Sequence, residues 1–181
     1  MSNNKSTKEN IPDPTIDEIF NKTRQDPSLF STIDIKELLN KIEHKNNEYL
    51  DNKTAAEVAA EIIDIISALE IPPTSIEQIC RKLVEYRYVD EIRELHKGKH
   101  VRWISHNKTP ITLTNGGIVM DIMFKDNGTH VLCRNSQNRL IQYKFDDCYT
   151  FQKLTLEEQL ILSAYGHLST VCEGGSGTYQ V

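Results

Sequence analysis

The spacing of apolar residues changes once along this chain. Up to Gly98 apolar positions recur every three or four residues, and from His100 they alternate with polar ones. The first part therefore predicts helices. Asp13-Pro14 reads as a helix start, Asp as N-cap and Pro in the first turn, with Ile16, Ile19 and Phe20 on one face and an end before Asp26-Pro27. Ser31-x-x-Asp34 resembles a capping box, followed by Ile35, Leu38, Leu39 and Ile42 at helical spacing, and the pattern weakens at Asn46-Asn47. Thr54-x-x-Glu57 is a full capping box, with Val58, Ile62, Ile65, Ile66 and Leu69 as its stripe and Pro72-Pro73 as its stop. Thr74-x-x-Glu77 opens a fourth helix. Its stripe is Ile76, Ile79, Cys80, Leu83 and Val84, and a continuation through Ile92 and Leu95 reaches Gly98, placed as a C-cap.

The second part predicts strands. His100–Ser105 (HVRWIS) puts Val101 and Trp103 on one face. Ile111–Leu113 and Ile118–Phe124 follow, joined through Asn115-Gly116-Gly117, where paired glycines permit a sharp bend. Asn127-Gly128 is a hairpin signal. Thr129–Arg134, Arg139–Phe145 and Cys148–Leu154 complete the set, separated by Asn135–Asn138 and Asp146-Asp147 as turns. Four to six short strands in a segment of this length favour a closed antiparallel barrel, because closure removes unpaired edges. Thr155-x-x-Glu158 starts a last helix that Gly166 ends. The expected fold is α+β: a disordered tail (1–12), an acidic helical region (13–98), a small basic barrel (99–154), a closing helix (155–168) and a flexible tail (169–181) containing Gly174-Gly175-Ser176-Gly177.

Composition and charge refine this picture. The 181 residues are 38% hydrophobic, which supplies a core and excludes a wholly disordered chain. The apolar run Ile62–Ile66 is broken by Asp64, and nothing approaches a membrane span. Met1 to Asn10 lacks the apolar stretch of a secretory leader, which predicts an intracellular protein. Cys80, Cys133, Cys148 and Cys172 form no C-x-x-C pair and read as reduced thiols. The sequons at Asn21, Asn52, Asn107 and Asn127 mean little without a leader. The net charge of −5 conceals a split. Residues 1–96 hold 12 Lys and Arg against 19 Asp and Glu, residues 97–153 hold 9 against 4, and residues 154–181 hold none against 3. A basic segment between acidic flanks can meet a polyanion or its own acidic neighbours.

The candidate binding surface is therefore the barrel: Lys99, Arg102, Trp103, Lys108, Lys125, Arg134, Arg139, Tyr143 and Lys144, with Lys97 and Lys153 beside them. Phe124, Phe145, Tyr149 and Phe151 are interleaved with these cations. Cations holding phosphates and rings stacking on bases suit nucleic acid. The same rings equally suit a barrel core under a solvated basic surface, and Trp103, Phe124 and Tyr143 also suit an aromatic cage for a methylated cation. His96-x-x-x-His100 has the spacing of a helical metal pair but no adjoining Glu, and Gly98 lies between them. Nucleophile–base sets, phosphate-cradling glycine loops and zinc spacings are absent from the sequence. Asp146-Asp147 reads as a turn. No catalytic residue, metal or cofactor is assigned. The terminal Tyr179-Gln180-Val181 offers a carboxylate to a peptide-binding groove.

In its abundance of Ile, Asn and Lys, and its scarcity of Ala outside Ala55–Ala60, the chain is similar in style to uncharacterised proteins of giant amoeba-infecting DNA viruses. That likeness implies host cytoplasm or packaging in the virion. By strand count, 99–154 resembles SH3-like and Tudor-like barrels, an analogy of fold alone. The resulting expectation is a non-enzymatic interaction or scaffold module that docks to a protein partner or to itself. The alternative is a DNA- or RNA-binding protein that uses the basic barrel. Neither involves a membrane.

Overall fold

The computed structural model of the chain describes residues 47–173. The polar tail and the two helices expected over 13–26 and 31–46 lie outside the described residues, as do residues 174–181. A one-turn 3-10 helix, Glu48–Leu50, precedes α1 (Ala55–Ser67) and α2 (Pro73–Lys82). The capping box of α1 is reciprocal: the Glu57 amide donates to Thr54 Oγ1 (3.3 Å) and the Thr54 amide donates to Glu57 Oε2 (2.6 Å). α2 begins one residue earlier than the expected Thr74 box, with Pro73 at its first position and Pro72 as an N-cap that makes no side-chain bond.

The helix expected to continue to Gly98 stops at Lys82. Tyr86–Val89 is instead strand β1, followed by a one-turn 3-10 helix, Ile92–Glu94. Tyr-Arg-Tyr-Val is aromatic and β-branched, so its local preference opposes the helix. Arg87 and Val89 are buried on one face, with Tyr86 and Tyr88 on the other. Gly98 does take a positive φ of 81°, in a turn whose amide bonds the Val119 carbonyl, not at a helix end.

The remaining strands are β2 (His100–Ser105), β3 (Gly117–Lys125), β4 (Gly128–Arg134), β5 (Leu140–Lys144) and β6 (Cys148–Lys153), with a 3-10 turn, Phe145–Asp147, before β6. Of the expected Ile111–Leu113 strand only Leu113 pairs, in a single bridge to Ile104. The six strands form one antiparallel sheet in the order β1-β6-β2-β3-β4-β5. The closed barrel is corrected to an open sheet: β1 occupies the free edge of β6 and does not pair with β5. β2 and β3 pair through two residue pairs, His100↔Ile118 and Val101↔Gly117, and two backbone bonds, from Gly98 and to Lys99, tie the chain just before β2 to Val119. The expected boundary at 98/99 is no boundary in the sheet either, because β1 belongs to the acidic region and completes the sheet of the basic one.

Each face of the sheet buries a core. On one face Val89, Val101, Val119, Val131 and Cys133 surround Trp103 and Tyr143, whose rings stack at 4.2 Å and 12°. On the other, Ile104 and Phe151 meet Ile62 and Ile66 of α1 and Ile79 and Leu83 at the end of α2. The last helix, α3 (Leu156–Glu173), passes through Gly166 and runs five residues beyond the expected end at 168. It packs Leu160, Ile161, Leu162 and Ala164 against Leu50 and Val58. No helix among the described residues is long and apolar enough to cross a membrane.

Candidate functional site

α1 carries two adjacent apolar stripes. Val58, Ile62 and Ile66 face inward and are buried. Ala55, Ala59 and Ile63, spaced i, i+4 and i+8, are exposed. This second stripe is one wall of a groove of about 350 Å³. Cys80, Leu83 and Val84, at the end of α2 and the turn into β1, form the other wall, and Leu154 and Leu162 line it too. Ile63 is 49% exposed and Val84 78% exposed, so the mouth of the groove is apolar. Among its lining residues the charged ones are Glu77 and Arg81, which pair with each other one helical turn apart at 2.6 Å. The groove is thus an apolar channel open to solvent. The Ala55–Ala60 cluster was the sequence signal for it: alanines on an open stripe let a second helix approach closely.

The sequence-predicted site residues are not gathered together. Trp103 and Tyr143 are each only 7% exposed and stack in the core, so they form neither a base-stacking platform nor a cage. The cations divide between the two ends of the strands. Lys125 and Lys144 lie at one end of β3–β5, where Lys144 pairs with Asp147 at 3.3 Å, and Lys108 follows β2 just after His106, whose amide bonds the Asp147 carbonyl. Lys99, Arg134 and Arg139 lie at the other. Here the register produces a row on the face that further along packs α1 and α2, with Tyr86 opposite Lys153, then His100, Ile118, Arg134 and Leu140. Arg102, half-buried on the same face, sets its guanidinium 5.6 Å from the centre of the Tyr86 ring, and its Nε is buried without a partner. Tyr86 Oη and His100 Nδ1 are 3.1 Å apart. The row is not purely basic, since Lys153 pairs with Glu85 at 3.0 Å and the adjoining surface depression includes Glu85 and Glu157.

Sequence reasoning missed a third constellation, a buried polar cluster where β1, α3 and the first 3-10 turn meet. Arg87 donates from Nε to Glu158 Oε1 at 2.8 Å, and its guanidinium lies 3.9 Å over the Tyr49 ring. Tyr49 Oη donates to the same carboxylate and lies 3.1 Å from His96 Nε2. Asn47 and Gln152 are buried beside them; Gln152 Oε1 accepts from the His96 amide at 2.7 Å, while its Nε2 has no partner. The visible signal was an Arg flanked by two tyrosines in an otherwise apolar pattern. His96 and His100 thus serve different tyrosines and make no metal pair. Among the described residues no group of three or more His, Cys, Asp and Glu is placed to hold a metal.

These environments fix how stability responds to acid. Burial, then the Arg87 charge, pushes His96 below its ordinary 6.5, with Lys99 adding to this and Glu158 and Glu157 opposing it. Burial, Arg102 and Lys153 push His100 the same way. Protons then bind the unfolded chain in preference, so stability is complete above about pH 6.5 and declines below it. Burial would raise the Glu158 carboxyl, but the Arg87 charge and the hydrogen bonds from Tyr49 and Thr155 outweigh it and hold it below 4.5. A second loss therefore begins below about pH 4.5. Glu94, raised by burial, opposes this second loss. The urea midpoint of the full chain is expected to be level between about pH 7 and 8, before the unfolded thiols begin to ionise, and to fall in two stages below that range. His96→Gln with His100→Gln should remove the first stage; if both stages survive that pair, the assignment fails.

Cys80, Cys133 and Cys148 are free thiols. Burial pushes Cys133 up to about 12 and raises Cys80 and Cys148 as well, so none is an activated nucleophile. Comparison with protein-family models, with curated proteins and with solved structures finds no match to this chain.

Proposed function

We propose that the protein is a non-enzymatic interaction module that accepts an amphipathic helix in the groove between α1 and α2. The observation that carries this reading is the open second stripe of α1, Ala55–Ala59–Ile63, facing Val84 across an apolar channel. Helix-in-groove recognition uses anchors at i, i+3, i+4 and i+7, and small residues on the receiving helix allow the close approach it needs. We take the scaffold, β2 to β6, as SH3-like. Support comes from its strand order, a four-strand meander followed by a 3-10 turn and a last strand that returns to pair with the first.

The test uses a labelled helical peptide with leucines at i, i+3, i+4 and i+7. It is titrated into the wild-type chain and into Leu38→Glu/Leu39→Glu, which cannot compete through its own amphipathic segment. Alkylation of Cys80, which lines the groove, should slow as peptide is added. Ile63→Lys with Val84→Lys should weaken this protection about tenfold or more, from loss of roughly 1.4 kcal/mol of apolar contact. Both positions are exposed, so the urea midpoint should change little. Protection that this pair leaves intact, or no protection in either chain, sinks the reading.

A second reading, polyanion binding, is favoured by the row Lys153–His100–Arg134 beside the unpartnered Arg102 Nε. It expects binding of labelled single-stranded DNA at low salt, lost steeply as salt rises and weakened by Arg134→Ala. Absence of binding at low salt removes it.

A further inference from the structure

The described chain begins beside the groove. Asn47 Nδ2 donates to Glu157 Oε1 at the start of α3. Leu162, which lines the groove, is five residues further along α3, about 7–8 Å of rise and about 140° round the helix. Leu50 shares one core cluster with Val58 and Leu162, both groove residues. Immediately upstream, the sequence places Ile35, Leu38, Leu39 and Ile42 at i, i+3, i+4 and i+7, the anchor spacing of a helix that lies in a groove. The five residues from Ile42 to Asn47 reach about 17 Å when extended, enough to cover both that rise and the roughly 10 Å width of the helix. The tether also makes the encounter intramolecular, at an effective concentration in the mM range.

We propose that the groove is filled in the resting protein by the chain's own segment 31–42, with Ile35, Leu38, Leu39 and Ile42 on the apolar walls, so that a partner helix must displace it. This rests on the groove reading above and adds an occupant and a regulation to it. A partner competes with a covalently linked helix, so charging that helix's apolar face opens the site.

The experiment is site-resolved alkylation of Cys80 in the full chain, read by mass spectrometry, with buried Cys133 as internal reference. The wild type should be protected at a rate independent of protein concentration, and Leu38→Glu/Leu39→Glu should react about tenfold faster or more. Lys36→Glu, between the anchors, should behave as wild type. Equal rates in wild type and the double variant overturn the proposal, and so does protection that fades on dilution, which would assign the groove to a second copy. A peptide copying residues 31–43, added to the double variant, separates the two readings. Restored protection upholds the groove even if the segment is not its resting occupant, and its absence removes the groove itself. If the double variant fails to fold, cysteines placed singly at Ile35, Leu38, Leu39 and Ile42 scan the same face. At least one should form an intrachain disulfide with Cys80 under oxidised glutathione, at a yield independent of concentration, while Lys36→Cys and Asn40→Cys should not. Failure of all four overturns the proposal.

Discussion

Arg87→Ala is expected to destabilise the protein by about 3–5 kcal/mol, the cost of removing one partner from a buried ion pair. Arg87 is 2% exposed and Glu158 1% exposed, and the two meet at 2.8 Å. The guanidinium also donates from Nη2 to the Glu94 carbonyl and covers the Tyr49 ring, with the Glu94 carboxylate 3.8 Å away. Alanine would leave a buried carboxylate facing only Tyr49 Oη and the Thr155 amide, a carbonyl without its donor, and a void against an aromatic face. Urea unfolding with an unchanged slope would measure this. Typical domains hold only about 5–15 kcal/mol in total, so the variant would sit near the limit of folding. Arg87→Lys should recover little, because an ammonium cannot place planar donors on carboxylate and carbonyl at once while stacking on Tyr49. Arg87→Met with Glu158→Gln should recover much of the loss, since it removes both charges and leaves the capping geometry with Thr155. A cost below about 1 kcal/mol for Arg87→Ala would mean that water reaches the pair, and would remove the cluster as the joint between β1 and α3.

The same cluster shows why part of this fold was legible and part was not. Where a residue's local preference and its tertiary role agree, the sequence announced the element. HVRWIS became β2 with the expected ends, and two of the three Thr-x-x-Glu boxes, Thr54–Glu57 and Thr155–Glu158, formed reciprocally, while Thr74 of the third lies inside α2 and caps nothing. Where a long-range partner decides, local pattern misled. β1 is four residues long and is held by β6, which lies more than sixty positions away, so the helical spacing continued from Val84 to Ile92 and Leu95 ran through it. Gly166 reads as a stop, yet in α3 nothing lies within 4 Å of where its Cβ would be, and the helix continues past it. The candidate site followed the same rule. Charge and aromatic content identified a basic segment, but alternation alone did not tell that Trp103 and Tyr143 would stack inward. The open stripe of α1 was hidden because Ala55 and Ala59 are the residues a buried helix and a receiving helix share. Which of these they are depends on whether a neighbour arrives.

Gly116→Ala is the second substitution with a large expected cost, and Gly98→Ala is its control. Both glycines have positive φ, 75° and 81°, where an L-residue pays about 1–2 kcal/mol. They differ in surroundings. A Cβ on Gly98 would have nothing within 4 Å, whereas on Gly116 it would fall 1.8 Å from the Val101 carbonyl oxygen and 2.8 Å from its carbon. The obstacle is the backbone of β2, which cannot rotate away as a side-chain tip does. Relief requires β3 to move off β2 at Val101↔Gly117, one of the two ladder pairs that join these strands. β3 cannot retreat freely, because a Cβ at the neighbouring Gly117 would already lie 2.7 Å from the Arg134 carbonyl oxygen of β4. The two glycines thus let β3 pass between two backbones at close range. Gly116→Ala should therefore cost the conformational term plus an overpacking term of about 1–3 kcal/mol, and Gly98→Ala the first alone. The difference between their urea midpoints, at constant slope, isolates the clash. Because His100↔Ile118 is the other pair of this junction, parting it would also break the row that joins Lys153 and His100 to Arg134. Equal costs for the two variants would show that β2 and β3 part easily, and that this junction does not hold the two halves of the sheet together.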